Sequence, residues 1–499
     1  MLYFSTRDNS HKVTSAQAIA RGLAPDGGLY LPESIPQVTA QELEAMGNMD
    51  YRGRAAYIMK KFLDDYTAEE LEAFVSQAYA ENFDTADTAP THILNGNTGV
   101  LELWHGPTCA FKDMALQMLP RLLTAALKKC GEKRKACILV ATSGDTGKAA
   151  LEGFRDVDGT CILVFYPVDG VSDVQRLQMV TQAGENVMVC AVQGNFDDAQ
   201  TGVKNAFAAC EDPALLAGKG VRLSSANSIN IGRLAPQVVY YFKAYADLVK
   251  AGRIQAGDKV DFVVPTGNFG DILAGYFAKY MGLPVGTLVC ASNANDVLTD
   301  FIHTGCYDRR RPFHKTVSPS MDILVSSNLE RLLFLLSGCD ASLVASYMKQ
   351  LKEDGHYQIT DAMLRQLQRE FWAGCCDDTG TAQAIRDVWQ QHHYLCDTHT
   401  AVAWNVAQQY KKAAQPKNPV VILSTASPYK FPVAVLGAIG GDTQGDEFDI
   451  MDRLHAMTGV PVPANLASLR DKAALHQDVI DKDEILSYVL QKVSEKTWH

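Results

Sequence analysis

The sequence has no apolar run long enough to cross a membrane and no excess of positive charge. Its longest apolar stretches, such as Ile138–Ala141 and Val420–Leu423, have the length of a strand and are far shorter than a membrane helix. The net charge is −11, which argues against nucleic acid or an acidic membrane surface as a partner. Because no apolar signal core follows Met1, nothing in the sequence indicates export.

Cysteine pairs at metal-ligand spacing are also absent. None of the 12 cysteines forms a Cys-x-x-Cys pair, and only Cys375 and Cys376 are adjacent. Several others fall in predicted strands, where a thiol acts as a small apolar filler: Cys137, Cys161, Cys190 and Cys290. We therefore expect reduced, buried cysteines, no metal site and a cytoplasmic protein.

The length and the periodicity predict an α/β protein with several parts. The 499 residues exceed what one hydrophobic core organises, and they include no repeat of fixed period and no low-complexity tract. Short apolar strands alternate with amphipathic helices from about residue 135, which predicts a parallel sheet covered by helices on both faces. The predicted strands are Lys135–Ala141, Cys161–Tyr166, Val187–Val192, Asp261–Pro265 and Val420–Leu423. The predicted helices are Lys148–Phe154, Ser172–Gln182, Phe196–Ala209 and Ile272–Tyr280.

The remaining segments have a helical pattern. Residues 1–90 are mostly helical, residues 330–395 read as a helical insertion without strands, and the end of the chain is helical with no site signal. We expect four parts: 1–95, a mainly helical N-terminal domain; 96–250 and 251–440, two α/β parts; and 441–499, a helical tail.

Lys112 is the candidate nucleophile. It follows a Gly106-Pro107 turn, with Phe111 before it and apolar residues soon after. Apolar walls lower the pKa of an amine, as Schiff-base chemistry with a carbonyl cofactor requires. By itself the segment is more typical of a surface lysine at the start of a helix.

Three loops follow predicted strands, at the edge where ligands bind in such sheets. The loop 266–271 (Thr-Gly-Asn-Phe-Gly-Asp) can turn its N–H groups toward a phosphate, although a plain βα turn is the alternative. The loop 142–148 (Thr-Ser-Gly-Asp-Thr-Gly-Lys) lacks the first glycine and the final Ser or Thr of a nucleotide P-loop, which sets an NTPase aside. Thr425 in the loop 424–427 can donate to a neutral ring nitrogen or simply cap the next turn.

These signals together indicate pyridoxal 5'-phosphate. That cofactor needs a Schiff-base lysine, a cradle for its phosphate and a partner for its pyridine nitrogen. Lys112, the loop 266–271 and Thr425 can fill these roles, in the chain order typical of the tryptophan-synthase-like class.

The chain also resembles threonine synthases over nearly its whole length, in particular the longer microbial and fungal branch. The segment His105–Asp113 matches the cofactor-lysine signature of that family. Further matches are residues 22–30, Thr142–Gly147, Asn227–Asn230, Gly267–Asp271 and Ser318–Ile323. A departure is Ser427, where some relatives have His. The resemblance implies a tryptophan-synthase-β-like α/β fold with parallel or mixed sheets flanked by helices.

The resemblance implies residue roles as well. Lys112 would bind the cofactor covalently and act as the catalytic base, and Thr425 would meet the pyridine nitrogen. The residues expected around the cofactor phosphate are Gly267, Asn268, Phe269 and Asp271. The residues expected around the substrate are Ser143, Asp145, Thr146 and Asn230. For Asp145, an Asx-turn that orders its loop is an equal alternative.

The implied reaction converts O-phospho-L-homoserine and water to L-threonine and phosphate. A related phospho-lyase that releases 2-oxobutanoate needs the same residues, so the sequence separates the two poorly. A catalytically silent scaffold is disfavoured because Lys112 is present. Partners other than a small-molecule substrate are not indicated, and a monomer and a homodimer both remain open.

Three other groups invite a functional reading that we do not favour. Arg309, Arg310 and Arg311 precede Pro312 and read as a solvated loop rather than an anion-steering patch. His399 most simply begins a helix. His105 is expected to support the cofactor loop rather than transfer protons.

Overall fold

The structure, a computed structural model, describes residues 1–169, 171–210, 212 and 214–495. Its strands are β1 Leu2–Ser5, β2 Val13–Thr14, β3 Tyr30–Pro32, β4 Thr91–Asn95, β5 Thr98–Glu102, β6 Lys135–Ala141, β7 Thr160–Pro167, β8 Val187–Gln193, β9 Val221–Ser224, β10 Val260–Pro265, β11 Val285–Ser292, β12 Cys306–Asp308, β13 His356–Gln358, β14 Phe371–Cys375, β15 Val420–Ser424 and β16 Asp478–Asp481.

The α-helices are α1 Ser15–Arg21, α2 Ala40–Gly47, α3 Tyr51–Phe62, α4 Ala68–Ala78, α5 Asp113–Leu116, α6 Leu119–Lys129, α7 Asp145–Phe154, α8 Asp173–Val180, α9 Phe196–Ala209, α10 Ile231–Lys250, α11 Gly270–Met281, α12 Val297–Thr304, α13 Leu329–Leu336, α14 Ala341–Glu353, α15 Asp361–Glu370, α16 Asp378–His392, α17 Thr398–Ala414, α18 Pro432–Ala438, α19 Glu447–Thr458, α20 Ala464–Ala467 and α21 Ile485–Glu495. Short 3₁₀ turns lie at Pro319–Met321, Pro428–Lys430 and Lys482–Glu484.

Two large sheets form the framework, which confirms the predicted α/β class. The six-stranded sheet has the order β14-β11-β10-β15-β5-β4, and its strands run parallel except that β4 pairs antiparallel with β5. The five-stranded sheet has the order β16-β8-β7-β6-β9 and is parallel throughout. All of β10 is buried, because helices cover both faces of a parallel sheet.

Loops that follow strands of both sheets lie in the same part of the molecule. β6 of the five-stranded sheet leads into residues 142–144, and β10 and β15 of the six-stranded sheet lead into residues 266–269 and 425–427. The three loops predicted from the sequence therefore do lie at carboxyl ends of parallel strands. An isolated bridge between Ala110 and Ala426 attaches the Lys112 segment to the loop after β15.

Two predictions of purely helical segments are wrong. The segment 330–395 contains β13, which pairs with β12, and β14, which adds a parallel edge strand beside β11. The C-terminal segment contains β16, which pairs in parallel with β8. These strands are only three to five residues long, so hydrophobic periodicity has too few residues to reveal them. The strands β4, β5, β9 and β11, which are four to eight residues long, were not predicted either.

The cysteines are only partly as expected. None is in a disulfide, but Cys130 and Cys375 are exposed and three others are half-buried, so the prediction of uniform burial is wrong. Across the part of the chain that the structure describes, no helix is long and apolar enough to cross a membrane.

Candidate active site

A cavity of about 1610 Å³ is lined by loops from both sheets. Every site residue predicted from the sequence lines it: Lys112, Ser143, Asp145, Thr146, Asn230, Gly267, Asn268, Phe269, Asp271 and Thr425. These residues are separated by as many as 313 positions along the chain. Most of them follow the carboxyl ends of β6, β10 and β15, whereas Asn230 follows β9 and Lys112 precedes α5.

Lys112 lies immediately before α5 with its amine enclosed. The side chain is 11% exposed, and Nζ donates to Ser320 Oγ at 3.3 Å and lies 4.0 Å from Asp145 Oδ2. Burial lowers the pKa of Lys112 to about 8; the nearby carboxylate of Asp145 opposes this, and the cations Arg233 and Lys430 act with it. The Phe111 N–H donates to the Thr425 carbonyl at 2.8 Å, which fixes the segment. The result is an amine that is easily deprotonated near neutral pH.

The loop 266–269 and the start of α11 form a tight turn that lines the cavity. Phe269 has φ 61°, a left-handed conformation, and α11 begins after it with no side-chain cap. A Cβ on Gly267 would lie 2.7 Å from the Ser320 carbonyl oxygen, so this position requires glycine. Uncapped N–H groups at the start of a helix bind a phosphate well, so the loop fits the phosphate of pyridoxal phosphate.

The Asp271 carboxylate bonds to side chains of α10, although it was expected around the cofactor phosphate. Its Oδ1 accepts from Tyr240 Oη at 2.6 Å and from Tyr241 Oη at 3.0 Å, while Oδ2 has no partner among the described residues. Burial raises the pKa of Asp271 to about 6, although the two tyrosines oppose this. The geometry shows that Asp271 anchors the first turn of α11 to α10.

The hydroxyl of Thr425 makes no hydrogen bond to the described part of the chain, although the residue is only 4% exposed. The alternative that Thr425 caps the next turn is not seen, because Ser427 Oγ accepts from Tyr429 N–H there. Thr425 is therefore available to meet the pyridine nitrogen of a bound cofactor.

The loop 142–144 is ordered by its own first hydroxyl. Thr142 Oγ1 accepts from the N–H groups of Gly144 and Gly147 at 3.0 and 2.9 Å. The hydroxyls of Ser143 and Thr146 line the cavity and make no hydrogen bond to described residues. They are thus free to meet a ligand.

Asp145 has a larger role than the sequence indicated. Its Oδ1 lies 2.7 Å from Lys430 Nζ and accepts from Gln175 Nε2 at 3.0 Å, and its Oδ2 accepts from Ser320 Oγ at 3.2 Å. Although burial opposes ionisation, Lys430 and Lys112 hold the pKa of Asp145 well below its usual range. These side-chain contacts replace the Asx-turn alternative.

The side-chain amide of Asn230 makes hydrogen bonds within the fold. Its Oδ1 accepts from Gly232 N–H at 2.9 Å and caps α10, and its Nδ2 donates to the Ile19 carbonyl at 3.0 Å. The residue reaches the cavity wall, but both ends of its amide are already bonded.

Arg233 was not predicted from the sequence. It is 4% exposed, lines the cavity, and has no carboxylate within 4 Å among the described residues. Nη1 donates to the Ala226 carbonyl at 2.9 Å, and Nε has no partner in the described part of the chain. Burial lowers its pKa to about 10. A buried cation without a counter-ion is costly unless an anion binds it, so Arg233 marks an anion site. Its position three residues after Asn227–Asn230 was the available signal.

His399 begins α17 as expected and also supports the site. It lines the cavity, its Nε2 accepts from Ser320 N–H at 3.2 Å, and Nδ1 lies 2.7 Å from Asp397 Oδ2. Because an amide N–H can only donate, the proton of the ring is on Nδ1. Asp397 and His399 together hold Ser320 against Lys112.

The remaining candidates lie outside the cavity. Arg310 pairs with Asp308 at 2.8 Å, and Arg311 pairs with Asp296 and Asp300 at 2.7 and 2.9 Å, so these arginines belong to a surface loop. His105 bonds Asp84 and Glu102 and stacks on Trp104 with ring centroids 4.3 Å apart. The arginine ion pairs agree with the surface loop expected from the sequence, whereas the expected support of the cofactor loop by His105 stays a prediction.

The fold and the site define a pyridoxal-phosphate-dependent enzyme: the family model described as "Pyridoxal-phosphate dependent enzyme" matches residues 100–426. Models described as "Threonine synthase N terminus" and "Threonine synthase, C-terminal" match residues 2–79 and 400–484. The chain belongs to the threonine synthase family.

Individual relatives agree with this assignment. The threonine synthase of Pseudomonas aeruginosa is 42% identical over 436 residues, which cover 87% of this chain and 90% of that protein. Human threonine synthase-like 1 is 41% identical over 456 residues; the match covers 88% of this chain but only 60% of the human protein. A pyridoxal-phosphate-bound threonine synthase from Brucella melitensis has a TM-score of 0.88 at 39% identity, covering 99% of this chain and all of that one.

Proposed function

We propose that this protein is a threonine synthase that converts O-phospho-L-homoserine and water to L-threonine and phosphate. The observation that carries the proposal is the juxtaposition of Lys112, an amine with a lowered pKa, and Arg233, a buried cation without a counter-ion, in one cavity. A phosphorylated amino acid supplies both an amine for the cofactor chemistry and an anion for Arg233.

The cofactor is assigned to three groups of this chain. Its phosphate would fit at Gly267–Gly270 and the start of α11, the hydroxyl of Thr425 would meet its pyridine nitrogen, and Lys112 would hold it covalently. When bound, pyridoxal phosphate withdraws electrons from the substrate and acidifies the protons near its amino group. A hydroxyl partner such as Thr425 keeps the ring a milder electron acceptor than a carboxylate would.

Residues of the chain transfer the substrate's protons and position the substrate. The neutral amine of Lys112 would remove the proton from Cα of the substrate and move protons at Cβ and Cγ as phosphate leaves and water adds at Cβ. Ser320 Oγ and Asp145 Oδ2 lie where they stabilise the ammonium form of Lys112. Arg233 holds the phosphate group, and the hydroxyls of Ser143 and Thr146 are assigned to the polar ends of the substrate.

The proposal also covers the location, the oligomeric state and the domain division of the protein. All twelve cysteines are free, which supports a cytoplasmic location. We keep both a monomer and a homodimer open, and we keep the four-part division of the chain as a proposal.

The test is phosphate release from O-phospho-L-homoserine, with threonine and 2-oxobutanoate both quantified. Threonine equal to phosphate in the wild type, and lost in Lys112→Ala, supports the proposal. Phosphate accompanied only by 2-oxobutanoate would make the protein a phospho-lyase. A wild-type protein that binds the cofactor and releases no phosphate would refute the substrate assignment.

A further inference from the structure

Lys430 is a second lysine next to the site, and it is fully buried. It ends the 3₁₀ turn after β15 with 0% exposure, donates to the Thr108 carbonyl at 3.1 Å and lies 2.7 Å from Asp145 Oδ1. It is not among the residues that line the cavity, so it does not touch the substrate. Lys430 therefore acts on Lys112 through its charge and through its ion pair with Asp145.

The Asp145 carboxylate is shared by two lysines. Oδ1 binds Lys430, whereas Oδ2 accepts from Ser320 Oγ at 3.2 Å and lies 4.0 Å from Lys112 Nζ. Through this carboxylate the two ammonium nitrogens lie within about 9 Å of each other, close enough to interact in a buried site. The charged groups that act on Lys112 are Asp145, Asp113, Asp271, Arg233 and Lys430.

We propose that Lys430 is a positioning residue that offsets the negative charge of Asp145. The carboxylate then stabilises the ammonium form of Lys112 less strongly, so that Lys112 can act as a base. This inference rests on the proposed function, in which Lys112 must accept a proton in each turnover.

The physical argument compares Asp145 with and without its counter-ion. A lone buried carboxylate 4.0 Å from Lys112 would strongly favour the ammonium form, which cannot act as a base. Lys430 offsets that charge, and it also keeps Asp145 ionised and oriented by occupying Oδ1. The Oδ2 atom and Ser320 Oγ then remain available to stabilise the proton after Lys112 has taken it.

The test compares variants of the holoenzyme that change charge with little change in shape. Lys430→Gln keeps a donor for Asp145 and Thr108 but removes the positive charge, and Asp145→Asn removes the negative charge. One readout is the pH titration of the visible absorbance of the bound cofactor, which senses the ionisation of the nitrogen contributed by Lys112. The other is the acid limb of kcat, which reports groups in the substrate complex.

Lys430→Gln is expected to raise the pKa of the Lys112 nitrogen by about one unit, a tenfold change in its ionisation ratio. Asp145→Asn is expected to lower it, and the double variant is expected to lie between. Lys430→Arg keeps the charge and should titrate close to the wild type. Lys243→Gln is the matched control, because Lys243 is buried and paired with Asp247 on α10 but does not act on Lys112.

A purely structural tether between Lys430 and α7 predicts a different pattern: lower thermal stability with no shift, or shifts of the same sign for both substitutions. Either result overturns the inference, and so does a Lys430→Arg variant that folds and titrates like Lys430→Gln. The absorbance readout needs only bound cofactor. Opposite shifts in a protein that makes no threonine would therefore refute the proposed function, while the effect of Lys430 and Asp145 on the ionisation of the Lys112 nitrogen would be confirmed.

Discussion

Replacing Arg233 with Met should make the protein more stable and much less active. The guanidinium is 4% exposed with no ionic partner among the described residues, and burial lowers its pKa to about 10 from an ordinary value of 12.5. That difference corresponds to about 3 kcal/mol of unfavourable free energy in the folded state at neutral pH, where the side chain is charged. Methionine removes this cost and fills a similar volume, at the loss of about 1 kcal/mol for the hydrogen bond to the Ala226 carbonyl.

The effect on catalysis has the opposite sign. A buried arginine paired with a phosphate contributes about 3 kcal/mol, so kcat/KM for O-phospho-L-homoserine should fall on the order of 100-fold in Arg233→Met. Inorganic phosphate should raise the thermal midpoint of the wild type, because it binds the folded state only, and should not raise that of the variant.

Arg54→Met is the matched control for this comparison. Arg54 is also buried, and its Nε and Nη1 have no partners among the residues that the structure describes. Its Nη2 donates to the Met46 and Met49 carbonyls at 2.9 Å, and Arg54 does not line the cavity. Its replacement should leave kcat/KM unchanged. If Arg233→Met instead lowers the thermal midpoint and keeps the wild-type kcat/KM, Arg233 is a structural partner of Ala226 and our assignment of the anion site is wrong.

Three more outcomes are expected. Lys112→Ala should abolish threonine formation and leave no lysine-linked cofactor after borohydride reduction, as read by mass spectrometry; a retained adduct would identify another lysine. Gly267→Ala should weaken cofactor binding in a fluorescence titration, because its Cβ would meet the Ser320 carbonyl at 2.7 Å, whereas Gly47→Ala, with nothing within 4 Å, should not. Burial opposes the charge of His105, but its carboxylate partners prevail and raise its pKa to about 9. Its stabilisation, up to about 3 kcal/mol, is present below its ordinary pKa near 6.5 and is lost as the pH rises to about 9. In His105→Gln, the free energy of unfolding measured in urea should therefore change less with pH across that range. The same pH dependence as in the wild type would contradict this account.

The sequence alone determined the elements with strong local signals. Strands such as β6, which runs over Lys135–Ala141 as predicted, are apolar runs bounded by turn residues, and α9 has a clear 3.6-residue period. The lysine signature, the glycine loop and Thr425 were also readable, because each is a short motif with its own chemistry. Short strands such as β14 and β16 were not, because their pairing with β11 and β8 stabilises them and local preference does not.

The tertiary structure decided which side chains share a charge environment. Arg233, Lys430 and Ser320 were not singled out in the sequence, although Ser320 lies within the matched segment Ser318–Ile323. Their importance comes from burial and from partners far along the chain, such as Asp145 for Lys430. Whether an ion is costly or harmless depends on the water it has lost and on the charges that replace that water. Those quantities exist only once the chain has folded, which is why the sequence predicted the cofactor but not the groups that tune its lysine.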